Sequence, residues 1–254
     1  MIPLKNEKEI GIMKEGGKIC AQIFKKILEE VRPGISTLFL EERAREFVKK
    51  TQARCAFLGY QGDEKKPYPA CLCTSVNEEL VHVPPSDKIL KEGDILKIDF
   101  GIFWKGFYLD MARTVGVGKI SPEGRRLIRV TKKALKLALK KVKPGNTFGD
   151  IGNIIQRFVE SQGFNVIRDL CGHGIGKNLH EEPKILNFGR RKSREQIKEG
   201  MVFCLEPMVS CGDWKIEKTK DGFGYKMLDN SLCAHFEDTI ALTKRGYEVL
   251  TKIK

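Results

Sequence analysis

The sequence predicts an α+β fold of two related halves, each with two helices followed by antiparallel strands. The halves join their strands into one curved antiparallel sheet, with helices outside and a cleft on the inner face. Three observations predict it. The segment "VRPGISTLFLEERAREFVKK" from Val31 is echoed by "VKPGNTFGDIGNIIQRFVES" from Val142, where Pro33, Gly34, Ser36, Phe47 and Val48 find counterparts in Pro144, Gly145, Thr147, Phe158 and Val159. A longer amphipathic stretch precedes each copy, and strand-rich sequence follows each. With 254 residues, 41% hydrophobic and 31% charged, the chain can bury such a core as a single domain, 1–254, with halves of about 1–118 and 119–254.

Taken in order, residues 6–31 and 122–142 carry apolar side chains at helical spacing. Each Pro-Gly ends the helix before it, and the following Ser36 or Thr147 caps the next helix by accepting bonds from its free N–H groups. Leu40, Ala44, Phe47 and Val48 then share one helical face, as do Ile151, Ile155, Phe158 and Val159. "ILKIDFGIFWKGFYLDMARTVGVG" reads as two strands joined by a hairpin turn at "WKG". "MVFCLEPMV" and "HFEDTIALT" read as strands of the second half.

The stretch "CGHGIGKNLHEEP" (171–183) has Gly172, Gly174 and Gly176 at every second position. Each weakens a helix by roughly 1 kcal/mol relative to alanine. The stretch is either extended backbone that another group approaches closely, or a Gly-rich turn holding two incidental histidines, His173 and His180.

No apolar run approaches the roughly 18 residues of a membrane span. The N-terminus has charges where a signal peptide would have its apolar core, so the reading is a cytosolic protein with no membrane contact. The eight cysteines are scattered through a chain too large to need disulfide staples and are expected as free thiols. Cys71 and Cys73, in "CLC", would share a strand face and lack the spacing of a zinc knuckle. The net charge of +13 is concentrated between Lys119 and Lys143 and in "GRRKSREQIK" (189–198). These clusters are either solvated faces or surfaces that attract phosphate backbones, and no nucleic-acid module accompanies them.

The carboxylates point to chemistry. Asp99 sits in an apolar alternating run and Asp110 ends the next one, so the hairpin could place them on neighbouring strands. A buried carboxylate is costly unless paired, hydrogen-bonded or bound to a cation; the plainer alternative is an Asp at each strand edge facing water. Glu206 alone interrupts "MVFCLEPMV", and Glu237 has a similar place in "AHFEDTIAL". Four acids in apolar strands, two from each half, cannot all ionise close together without a compensating cation. With one imidazole from the Gly-rich stretch, the set is rich in oxygen and suits two divalent transition ions sharing carboxylates, not a thiolate-rich zinc site. A metal pair turns water into a nucleophile and holds the carbonyl under attack.

At this point the chain resembles the type I methionine aminopeptidases over nearly its whole length. The motifs are "SVNEELVH" (75–82), "GDILKIDF" (93–100), "YLDMART" (108–114), "CGHGIGKNLHEEP" (171–183), "FCLEPM" (203–208) and "HFEDT" (235–239). The resemblance implies the pita-bread fold, a monomer, and removal of the initiator methionine from nascent polypeptides whose second residue is small. It implies two divalent ions (Co, Mn, Fe or Zn) on Asp99, Asp110, His173, Glu206 and Glu237, with Asp110 and Glu237 bridging. It also implies that Glu206 carries the proton of the attacking water, that His180 contacts the scissile amide or the tetrahedral intermediate, and that His82 faces the substrate. The methionine pocket falls on Tyr60, Tyr68, Cys73, Leu179 and Phe223. His235 has no family role and is read as structural.

The sequence departs from the family at three places. Extra residues stand between Gly62 and Tyr68, Leu179 and Phe223 replace bulkier aromatics, and "HVPP" replaces His-Gly-hydrophobic-Pro. The rival readings are a related pita-bread peptidase (prolidase or aminopeptidase P type) and a non-catalytic basic relative that binds RNA or the ribosome. The basic residues Arg190, Arg191, Lys192 and Arg194 suggest ribosome docking for the enzyme as well.

Overall fold

The structure, a computed structural model, describes residues 2–61 and 66–253. The first half runs α1 (Glu7–Glu29), α2 (Thr37–Lys49), β1 (Arg54–Cys55), β2 (Leu72–Val76), β3 (Glu79–Val81), β4 (Ile95–Trp104) and β5 (Phe107–Gly116). The second begins with α3 (Pro122–Leu139) and α4 (Phe148–Ser161), then β6 (Asn165–Val166), β7 (Cys171–Gly174), β8 (Glu181–Leu186) and β9 (Val202–Leu205). It continues through β10 (Met208–Ser210), β11 (Ile216–Lys218), β12 (Tyr225–Met227), β13 (Cys233–His235), β14 (Glu237–Thr243) and β15 (Gly246–Val249).

The capping residues are those the sequence predicts. Ser36 Oγ accepts from the Phe39 N–H at 3.0 Å, and Thr147 Oγ1 from that of Asp150 at 3.3 Å. Leu40, Ala44 and Val48 of α2 are buried, as are Ile151, Ile155 and Val159 of α4, so each helix turns its apolar stripe to the sheet. Phe24 of α1 stacks on Phe100 of β4 with ring centroids 6.2 Å apart. That contact fixes the helix side of the sheet and sends Asp99, the neighbouring residue, to the opposite face.

The main sheet has the order β1-β4-β5-β14-β9-β7-β8, with β2 also on β4 and β15 on β14. Its neighbours pair antiparallel. Lys105 and Gly106 form the β4–β5 turn, both with positive φ (45° and 94°), as a two-residue hairpin turn requires. The seam between the halves is β5 against β14, where Glu237 faces Ala112 and Asp238 faces Met111. Side chains reinforce it. The Asp110 N–H donates to Thr239 Oγ1 at 3.0 Å, and that hydroxyl donates to the Asp110 carbonyl at 2.7 Å. Arg113 donates to Asp238 Oδ1 at 2.6 Å and to the Glu237 carbonyl.

One expectation fails. Cys55 and Cys71 are joined by a disulfide, with Cα atoms 5.1 Å apart, while the other six cysteines are thiols. The reason is tertiary: β1 and β2 lie end to end along the same edge of β4, with Cys55 opposite Ile102 and Leu72 opposite Phe100. Two cysteines far apart in sequence thus become neighbours.

Replacing Thr239 by Val keeps the shape but strips both backbone partners from Asp110 at the seam. Urea unfolding should show a loss of about 1–3 kcal/mol with an unchanged m-value.

Candidate active site

The four central strands, β4-β5-β14-β9, deliver the four predicted carboxylates to one face. Asp99 on β4 and Glu237 on β14 both stand opposite Ala112 of β5, one from each side. Asp110 is two residues along β5 from Ala112 and therefore on the same face. Glu206 follows directly after β9, in the break before β10, and its backbone carbonyl accepts from Asn187 Nδ2 at 3.0 Å. All four acids line a single cavity of about 710 Å³.

The Gly-rich stretch combines its two readings: Cys171–Gly174 is extended strand, β7, carrying His173, and residues 176–180 bend toward β8, carrying His180. A Cβ at Gly172 would stand 2.5 Å from the Cys204 carbonyl oxygen, so only glycine lets β7 lie this close to β9. His173 on β7 reaches the cavity. Its Nδ1 lies 2.9 Å from the Gly174 carbonyl, which can only accept, so Nδ1 carries the proton and Nε2 keeps its lone pair. Nε2 stands 3.7 Å from Glu206 Oε1.

His82 and His180 line the same cavity. The His180 ring meets that of His173 edge to face at 4.4 Å, and its Nδ1 is 2.7 Å from the Tyr60 hydroxyl. His82 holds a left-handed backbone (φ 59°), uncommon for a non-glycine residue, and its ring lies 6.1 Å from Tyr225. Tyr60, Tyr68, Cys73, Leu179 and Phe223, the expected methionine-pocket residues, also line it. Tyr68 is fixed by its hydroxyl bond to the Leu72 carbonyl (2.9 Å) and by edge contacts with Phe57 (6.4 Å) and Phe223 (5.5 Å). Of the extra residues between Gly62 and Tyr68, 63–65 lie outside the described residues.

The electrostatics are those of acids enclosed together. Burial, then the nearby Asp110 and Glu206 carboxylates, pushes Asp99 well above its ordinary value. Glu206 is raised well above its own by burial and then Asp110, Glu237 by burial and then Asp110, Glu206 and Asp99, and burial lifts Asp110 to about 7. Burial, with His180 beside it, lowers His173 to about 3, leaving a neutral imidazole. Asp99 Oδ1, Asp110 Oδ1 and Glu237 Oε1 have no hydrogen-bond partner among the described residues. Buried acceptor atoms left bare around a cavity, beside an imidazole with its lone pair turned inward, are a donor set that fits divalent cations.

Sequence reasoning missed one neighbour. His235, expected to be structural only, has Nε2 3.4 Å from Glu206 Oε2 and 3.8 Å from Glu237 Oε2. Asp99, His235 and Glu237 each offer an atom within 4.8 Å of the others, as do His173, Cys204 and Glu237. The signal was present: His235 and Glu237 are two apart in a strand-like run and so tend to share a face. Phe57 and Tyr225 also line the cavity without having been singled out.

The sequence pattern of metallopeptidase family M24 matches residues 11–244. The chain belongs to metallopeptidase family M24. A methionine aminopeptidase of Clostridium perfringens is 43% identical over the full length of both chains. The crystal structure of a methionine aminopeptidase from Thermotoga maritima superposes with a TM-score of 0.95 at 43% identity, covering 99% of this chain and 100% of that one. A prolidase from Pyrococcus horikoshii, at 23% identity and a TM-score of 0.79 over 64% of its own length, shares the fold alone. The curved antiparallel sheet with outer helices is the pita-bread fold of this M24 member.

Asp110 titrates at about 7 when folded against 3.8 ordinarily, so between those values the folded chain keeps a proton that the unfolded chain releases. Stability then falls as pH rises through that window. Metal-free protein should melt several degrees lower at pH 8 than at pH 5, and manganese should recover most of the loss. A metal-free Tm that rises over that interval contradicts the enclosed-acid picture.

Proposed function

We propose that this M24 metallopeptidase is a methionine aminopeptidase, removing the initiator methionine from nascent polypeptides whose second residue is small. The observation that carries this reading is a cavity in which bare buried carboxylates and His173 adjoin an aromatic and sulfur-lined pocket. Full-length relatives bearing that name support it. The whole of 1–254 acts as one catalytic domain, its halves meeting near residue 118.

Asp99, Asp110, His173, Glu206 and Glu237 would hold the two divalent ions, Asp110 and Glu237 being the pair that would serve both; Co, Mn, Fe and Zn all suit these donors. When bound, the ions supply an activated water and polarise the scissile carbonyl. Glu206 passes the proton of the attacking water to the departing amine. With the Tyr60 hydroxyl donating to its Nδ1, His180 bears its proton on Nε2 and can donate it to the developing oxyanion. His82 faces the substrate and donates to the leaving nitrogen. The rings of Tyr60, Tyr68 and Phe223, with Cys73 and Leu179, receive the methionine side chain, whose thioether favours aromatic edges.

The enzyme works as a monomer in the cytosol, where nascent chains emerge. Arg190, Arg191, Lys192 and Arg194 are exposed on a loop bound to the start of α4, where the Gly149 N–H donates to the Ser193 carbonyl at 3.1 Å. This basic loop supports docking on the phosphate-rich ribosome surface.

Three measurements test the reading. Methionine should be released from Met-Ala-Ser but not from Met-Ile-Ser, and a chelator should abolish release; equal cleavage of both peptides would overturn the specificity. His180→Ala should lower kcat by about 10²–10³. Replacing the four basic residues by Glu should reduce co-sedimentation with ribosomes, and unchanged co-sedimentation would remove the docking claim.

A further inference from the structure

We propose that His235 is a positioning residue for Glu206, donating its Nε2–H to the carboxylate oxygen that faces away from His173. The two oxygens of Glu206 each face a different imidazole: Oε1 lies 3.7 Å from His173 Nε2, and Oε2 lies 3.4 Å from His235 Nε2. Glu237 Oε2 is farther from His235, at 3.8 Å.

The His235 backbone is held firmly. Its N–H donates to Thr114 Oγ1, and its carbonyl accepts from that same hydroxyl, both at 2.8 Å. Its Cα pairs with Met208, two residues beyond Glu206, so the loop that carries Glu206 and the strand that carries His235 are tied together. The ring is 1% exposed, and neither nitrogen has a hydrogen-bond partner among the described residues. A buried donor left unmade is costly, and the Glu206 carboxylate is a short side-chain rotation away.

The consequence falls on Glu206. A carboxylate that must both hold an ion and carry a proton cannot rotate freely between its two oxygens. A donor on Oε2 selects one rotamer and leaves Oε1 turned to the ion side beside His173. Partners behind metal ligands act in this way and commonly alter metal affinity when removed.

The inference rests on the ligand set proposed above. The test compares wild type, His235→Leu, which fills the space without a donor, and His235→Gln, which keeps one. Each metal-free protein is titrated with manganese chloride by calorimetry and then assayed on Met-Ala-Ser at saturating manganese. His235→Leu should bind manganese about 10- to 100-fold more weakly with unchanged stoichiometry, and should lower kcat while leaving KM unchanged. His235→Gln should recover most of both losses. Wild-type affinity and kcat in His235→Leu would overturn the proposal. Loss of one bound ion per chain in both variants would overturn it too, because His235 would then be a ligand itself. Wild-type protein that binds no manganese would remove the ligand set, a failure distinct from either.

Discussion

Asp99, Asp110, Glu206 and Glu237 share one cavity in which burial pushes each carboxyl above its ordinary range, and neighbouring carboxylates push Asp99, Glu206 and Glu237 further. The basic side chains recorded within 4 Å of them are His173 and His235, both kept neutral by burial. Arg113, at the seam, pairs instead with Asp238. Four acids so arranged call for compensating positive charge, and that requirement supports the metal centre proposed above. The alternative, four neutral acids with bare oxygens, sacrifices hydrogen bonds that a folded interior ordinarily satisfies.

The sheet exists in a form that brings those acids together. β5 and β14 meet across the join of the two halves, with β4 and β9 outside them, so each half contributes one central and one flanking carboxylate. Thr239, Thr114 and Arg113 tie the seam at the residues that flank the acids. Helices α1 and α2 cover one half of the sheet and α3 and α4 the other, which leaves the opposite face for the cleft.

Much of this was legible in the sequence because it depends on local periodicity. The Asp99–Asp110 hairpin follows from alternation broken by a Lys105-Gly106 turn, and the paired helices follow from Pro-Gly followed by a capping hydroxyl. The closely spaced glycines of β7 declared a tight approach, though not to which strand. Residue roles came from family resemblance, since spacing alone left the acids free to face water. The Cys55–Cys71 bridge was not legible, because it depends on two short strands sharing one edge of β4. The position of His235 was only partly legible: its two-residue spacing from Glu237 hinted at the site, but not at its place behind Glu206. It depends on β13 and β14 being successive strands of different sheets, so that the chain turns at Phe236 and carries the imidazole in behind Glu206.

Anomalous scattering from manganese-soaked crystals tests the central claim most directly. The account predicts two strong peaks enclosed by Asp99, Asp110, His173, Glu206 and Glu237, with the bare carboxylate oxygens turned toward them. Manganese found only at surface acids, with those five side chains apart and hydrated, would contradict it.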